Sequence, residues 1–128
     1  MKNGGVNIDE IDEDLHTPLH HAAKVGDFDL VNMIIKHGAN LQIKGKSEQT
    51  ALHHAVSYKK LDVVTLLIKS GADIEAKDHD GNTAIFYAVG VLSHSLEMVK
   101  LLIERGADFK AQNMHFSTPL IHCVPGKV

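Results

Sequence analysis

The chain of 128 residues is 44% hydrophobic, 23% charged and only 5% aromatic, with no Trp, one Cys, ten His and a net charge of −3. That length suits one domain with a modest core. A lone cysteine excludes an intramolecular disulfide, and basic residues that are Lys apart from Arg105 nearly exclude a phosphate clamp of guanidinium forks, while isolated Lys contacts stay open.

No apolar run approaches the about 18 residues of a membrane-spanning helix, and the N-terminus lacks an apolar signal-peptide segment. The expectation is a soluble cytoplasmic protein, with the nucleus also open to it, that has no nucleic-acid partner and no membrane insertion.

In chain order, Gly5-Val6-Asn7-Ile8 comes first, followed by the acids Asp9, Glu10, Asp12, Glu13 and Asp14. These acids read either as a solvated hairpin or as a patch for a basic partner. A first helix is predicted through about Lys24. Thr17 is a good N-cap, Pro18 suits the first turn, and Leu19, Ala22 and Ala23 follow at helical spacing. Gly26 is its stop. A second helix is predicted from about Phe28 to His37, with Leu30, Val31, Ile34 and Ile35 as its apolar stripe and Gly38 as its end. An extended stretch from Asn40 to Gln49 leads to Thr50, where the pattern starts again.

The pattern is a repeat. Thr17, Thr50, Thr83 and Thr118 open TPLHHA, TALHHA, TAIFYA and TPLIHC at spacings of 33, 33 and 35 residues, and Gly38, Gly71 and Gly106 keep the same register. The units are 17–49, 50–82 and 83–117, the last with a two-residue insertion near Val91 to His94. A partial unit, 118–128, follows. Residues 1–16 align with the end of a preceding unit, since Gly5 to Ile8 match Gly38 to Leu41. The ends fit either a piece of a longer array or a small protein with degenerate ends. Helices this short do not stand alone in water, so stability must come from stacking one unit on the next.

TPLHHA at the 33-residue period resembles the signature of the ankyrin-repeat family. The resemblance spans nearly the whole chain and weakens in the third unit, where Ala84, Ile85 and Phe86 replace Pro, Leu and His. It implies an all-α repeat fold, an ankyrin-repeat solenoid of stacked helix-turn-helix units with β-hairpin loops. It also implies a non-catalytic protein-interaction module, acting as scaffold, adaptor or inhibitor, that takes a partner protein or peptide on a concave surface of hairpin tips and first helices. The alternative is a regulatory ankyrin fragment of a larger enzyme or channel. Carried over unit by unit, the partner-binding positions are Glu13, Asp14, His16, Lys24 and Val25, then Lys46, Ser47, Gln49, Ser57 and Tyr58. The third unit adds His79, Asp80, Asn82 and Val91, and the last segment Met114 and His115. Tyr58 is the expected anchor. Exposed ends of the stack offer a route to self-association.

The histidines invite a metal reading. However, equivalent histidines in stacked units run parallel and do not converge, and neither HExxH nor a second Cys is present. No metal site, no cofactor and no catalytic constellation are expected, so the chain is read as not an enzyme. Cys123 falls in the small-residue column of Ala22, Ala55 and Ala88 and reads as packing. The resemblance implies that His20 and His53 tie adjacent loops together. His21, His54 and His122 form the next column, expected to be partly exposed.

Overall fold

The computed structural model describes residues 7–89 and 96–119. The expected insertion with Val91, the final half-unit with His122 and Cys123, and Gly5-Val6 lie outside them.

Thr17 is extended, and its hydroxyl accepts the His20 amide at the start of α1 (Pro18–Val25). Thr50 does the same with His53 at α3 (Ala51–Ser57). In both boxes an imidazole takes the place usually held by Glu. His20 Nδ1 receives the Thr17 N–H at 2.9 Å, and His53 Nδ1 that of Thr50 at 3.0 Å. α5 (Ala84–Ala88) follows Thr83 without a side-chain cap bond; the Phe86 amide goes to the Thr83 carbonyl at 3.1 Å, and Phe86 has no ring nitrogen to return a bond. The Thr83 hydroxyl is buried without a hydrogen-bond partner.

α1 ends at Gly26 in the left-handed conformation, φ 84°, which glycine adopts without a Cβ clash. The second helices are α2 (Phe28–Lys36), α4 (Leu61–Lys69) and α6 (Leu96–Glu104). Asp27 caps α2 by accepting the Leu30 amide at 3.1 Å.

The helices form two layers. α1 packs on α3 and α3 on α5, while α2, α4 and α6 cover them from behind. Ala22, Ala23, Ala51, Ala55, Ala84 and Ala88 are all buried in the first layer, so the short helices approach closely. Leu19, Val31, Leu52, Val63, Val64, Leu67, Ile85, Met98 and Leu102 fill the space between layers. Each fully buried aliphatic contributes roughly 1.5–3 kcal/mol. No unit buries both of its faces alone, so this stabilisation exists only in the stack.

The stretch from Asn40 to Gln49 is not continuously extended. It turns near Leu41 and carries a 3-10 turn at Lys46–Glu48. Four equivalent hairpin turns, here called fingers, project between the units, and in each a backbone bond joins the first residue to the fifth. The bonds run from Asp12 N to His16 O (3.0 Å), Gly45 to Gln49 (2.8 Å), Asp78 to Asn82 (3.0 Å) and Asn113 to Ser117 (2.9 Å). These are the expected hairpin loops, reduced to single turns; the described residues contain no β-strand. Leu15, Glu48, Gly81 and Phe116 occupy the same finger position, and all four have positive φ.

Candidate functional site

Three hydrogen-bond ladders hold the fingers to the helices and to each other. In the first, His20 Nε2 lies 3.0 Å from the Gln49 carbonyl and His53 Nε2 lies 3.0 Å from that of Asn82. A backbone N–H can only donate and a carbonyl can only accept. Each ring is therefore neutral, with its proton on Nε2 and its Nδ1 lone pair facing the threonine amide. Burial lowers both pKa values, partly offset by the bond each ring makes to the carbonyl. The expected structural role of these two histidines is what the geometry displays.

The second ladder runs along the loops that follow the second helices. Asp9, Gln42 and Glu75 accept the backbone amides of Asn40 (3.0 Å), Asp73 (3.2 Å) and Asp108 (2.9 Å), each in the following unit. The third clasps finger to helix. Asp12 Oδ1 takes the amides of Asp14 and His16, and Oδ2 lies 2.8 Å from His21 Nε2. Asp78 repeats this with the amides of Asp80 and Asn82, and its Oδ2 accepts from the Tyr87 hydroxyl. Tyr87 also receives Gln49 Nε2 at 3.0 Å, which joins two fingers. Burial, then Asp78, push the Tyr87 pKa up to about 12. The His16 amide, followed by the His21 ring, draws Asp12 down to about 2. The second finger has Gly45 where the others have Asp12, Asp78 and Asn113, so His54 Nε2 is left buried and unpartnered. Burial, then the neighbouring His20 and His16, lower His54 to about 4.

These bonds sort the positions named from the sequence. Glu13, Asp14, Lys46, Ser47, His79, Asp80, Met114 and His115 are exposed on the fingers. Backbone bonds from His79 N to Ser47 O (2.9 Å) and from Met114 N to Asp80 O (3.0 Å) hold three fingers side by side. Lys24, Val25, Ser57 and Tyr58 are exposed at the ends of α1 and α3, and the Lys24 ammonium lies 5.5 Å from the centre of the Tyr58 ring. His16, Gln49 and Asn82 differ from the rest. They are half-buried at the roots of the fingers, where Gln49 and Asn82 belong to the ladders and His16 packs against the rings of His20, His21 and His54. Val91 lies outside the described residues.

Asp12 and Asp78 clasp fingers to helices, a role not read from the sequence, where Asp12 was one acid in a run. The signal was available: Asp12, Asp78 and Asn113 stand five residues before Thr17, Thr83 and Thr118. The exposed apolar finger residues Leu15 and Phe116 were missed as well, because nothing marks them until the backbone places them at a tip.

Short helix pairs at a 33-residue period, capped by Thr and joined through histidine to the next finger, define a helical repeat domain. An ankyrin-repeat family model of three copies matches residues 1–78 and again 40–113. The chain belongs to the ankyrin-repeat family, whose domains are in general protein-interaction modules and typically non-catalytic. A search of curated proteins finds no match. Among the described residues, no helix is long and apolar enough to cross a membrane.

Proposed function

We propose that the chain is a non-catalytic scaffold, adaptor or inhibitor that holds a protein partner across its fingers and the exposed ends of α1 and α3. The main support is the pair Leu15 and Phe116, at φ 67° and 61°, with exposures of 49% and 79%. A bulky side chain in the left-handed region is strained, and the third finger has Gly81 at the same position. Strained apolar residues presented to solvent suit a surface that is covered in use. Tyr58 adds an aromatic anchor, 48% exposed, with Lys24 beside it. Asp9 and Asp12 serve the ladders, which leaves Glu10, Glu13 and Asp14 to draw a basic partner.

The test places a photo-crosslinking residue at Val25, Tyr58 or Phe116 in one set of variants, and at Lys36 or Lys69 on the second helices in another. Crosslinks to the partner from the first set support the reading; crosslinks confined to the second set defeat it. A cytoplasmic site of action, with the nucleus open to it, belongs to the same proposal, and imaging of the tagged chain reads it.

A second reading makes the domain a regulatory part of a larger enzyme or channel. It draws on an apolar groove of about 450 Å³ on the outer face of the first unit, lined by Ile8, Pro18, Val25, Leu30, Met33 and Ile34 among others. Another packed element or a second copy of the chain would suit that face. Light scattering across concentrations reads the self-association arm directly.

A further inference from the structure

Metal ligands must converge on one point, and equivalent columns of stacked units run parallel. The root of the first finger escapes that constraint because its donors come from two directions. Asp12 and His16 stand on the finger and His21 stands on α1, and one donor atom from each lies within 4.8 Å of the other two. We propose that Asp12, His16 and His21 form a binding site for a divalent transition-metal ion of the zinc type. This site is separate from the protein-binding reading and does not depend on it.

The donor set fits such an ion. Two imidazole nitrogens and one carboxylate oxygen suit zinc and its neighbours better than magnesium or calcium, which prefer all-oxygen shells. Bonds of about 2.0–2.2 Å in tetrahedral geometry place ligand atoms roughly 3.3–3.5 Å apart. The separations here, from 2.8 Å between Asp12 Oδ2 and His21 Nε2 up to 4.8 Å at most, bracket that spacing. Asp12 and His21 are exposed and His16 is half-buried, so the remaining coordination position opens to water.

The surroundings orient the donors. Asp12 Oδ1 is held by the amides of Asp14 (2.9 Å) and His16 (3.0 Å), which leaves Oδ2 to face His21. The His16 ring lies against Gly45 so closely that an added Cβ there would stand 2.6 Å from its Cδ2. Its centre is 5.3 Å from that of His20, 5.4 Å from His21 and 5.1 Å from His54. Support of this kind, in which other groups fix a ligand's direction, typically accompanies metal sites.

The other units serve as an internal control. The same three positions hold Gly45, Gln49 and His54 at the second finger and its following helix, and Asp78, Asn82 and Tyr87 at the third. The third finger makes its clasp between Asp78 and Tyr87, with Gln49 Nε2 also on the Tyr87 hydroxyl. Neither the clasp nor the finger-closing bond from Asp12 N to His16 O uses the His16 side chain. Neither bond requires a second imidazole at this point, and metal ligation gives its nitrogens a use beyond the packing of the ring.

Titrating the intact chain with Co²⁺, read by its visible d–d bands, and displacing it with Zn²⁺ tests the site. One ion per chain is expected. His16→Ala and Asp12→Asn should each weaken binding at least tenfold, while His37→Ala and His115→Ala on other surfaces stay within twofold. Absence of binding, or equal affinity in all four variants, overturns the site; the latter result identifies adventitious capture by exposed imidazoles. Paramagnetic broadening by Co²⁺ in the unmutated chain gives a readout independent of variant folding. Broadening centred on residues 12–21 supports the proposal, and broadening spread over all histidines refutes it.

Discussion

His53 Nε2 reaches the carbonyl oxygen of Asn82, 29 residues further along the chain, at 3.0 Å, while its Nδ1 holds the amide of Thr50. One neutral ring thus starts a helix and fastens the next finger to it. Replacing it with phenylalanine, as at position 86, keeps the apolar volume but leaves the buried Thr50 amide without its acceptor and takes from the Asn82 carbonyl one of its two donors, the Asp78 amide remaining. His53→Phe should lose about 2–3 kcal/mol of stability, read from urea denaturation.

Thr50 and Thr83 occupy the same position with opposite prospects. The Thr50 hydroxyl works in a closed box, whereas that of Thr83 is buried and unpartnered. Thr50→Val should therefore destabilise the chain by about 1 kcal/mol, and Thr83→Val should raise its stability by a similar amount. Thermal unfolding of the two variants side by side checks the contrast.

Acid should unfold this protein through its histidines. The folded state lowers the pKa values of His20 and His53, and that of His54 to about 4, from an ordinary 6.5. Between those limits the unfolded chain binds more protons than the folded one. The stability present above pH ~6.5 is therefore lost as pH falls. The midpoint temperature should drop on going from pH ~7.5 to pH ~5, and the drop should be smaller in His53→Phe, which lacks one of the three rings. An equal drop in that variant would remove His53 from the explanation.

Lys59 takes the left-handed conformation, φ 61°, at the place where the first unit has Gly26. A side chain there carries a strain of roughly 1–2 kcal/mol that glycine avoids, against a smaller entropic cost in the unfolded chain. Lys59→Gly should stabilise the domain by about 0.5–1 kcal/mol in a denaturant titration.

Tyr58 is exposed and helps seat only Lys24. Tyr58→Ala should leave the midpoint temperature nearly unchanged while weakening partner binding by about 1–2 kcal/mol. Parallel measurement of melting and affinity separates the two effects.

The sequence by itself determined the period, the helix starts at Thr17 and Thr50, the stop at Gly26, and the alanines and aliphatics of the core. Each of these is a local preference repeated in register, and a repeat fold is a sum of such preferences. It also marked most of the exposed finger residues, because a surface column changes chemistry between units while a packed column does not. The tertiary structure decided the rest. Which acids are free and which are spent was illegible, since Asp9 reaches Asn40 and Asp12 reaches His21 only after the chain folds back. Gln49 and Asn82 read as surface, yet their carbonyls receive the histidine ladder. The grouping of Asp12 and His16 with His21 had no signature of its own, because no spacing rule covers donors that meet across a finger and a helix. Periodicity reports which residues are equivalent, whereas contact between inequivalent residues depends on how one unit folds over itself and its neighbour.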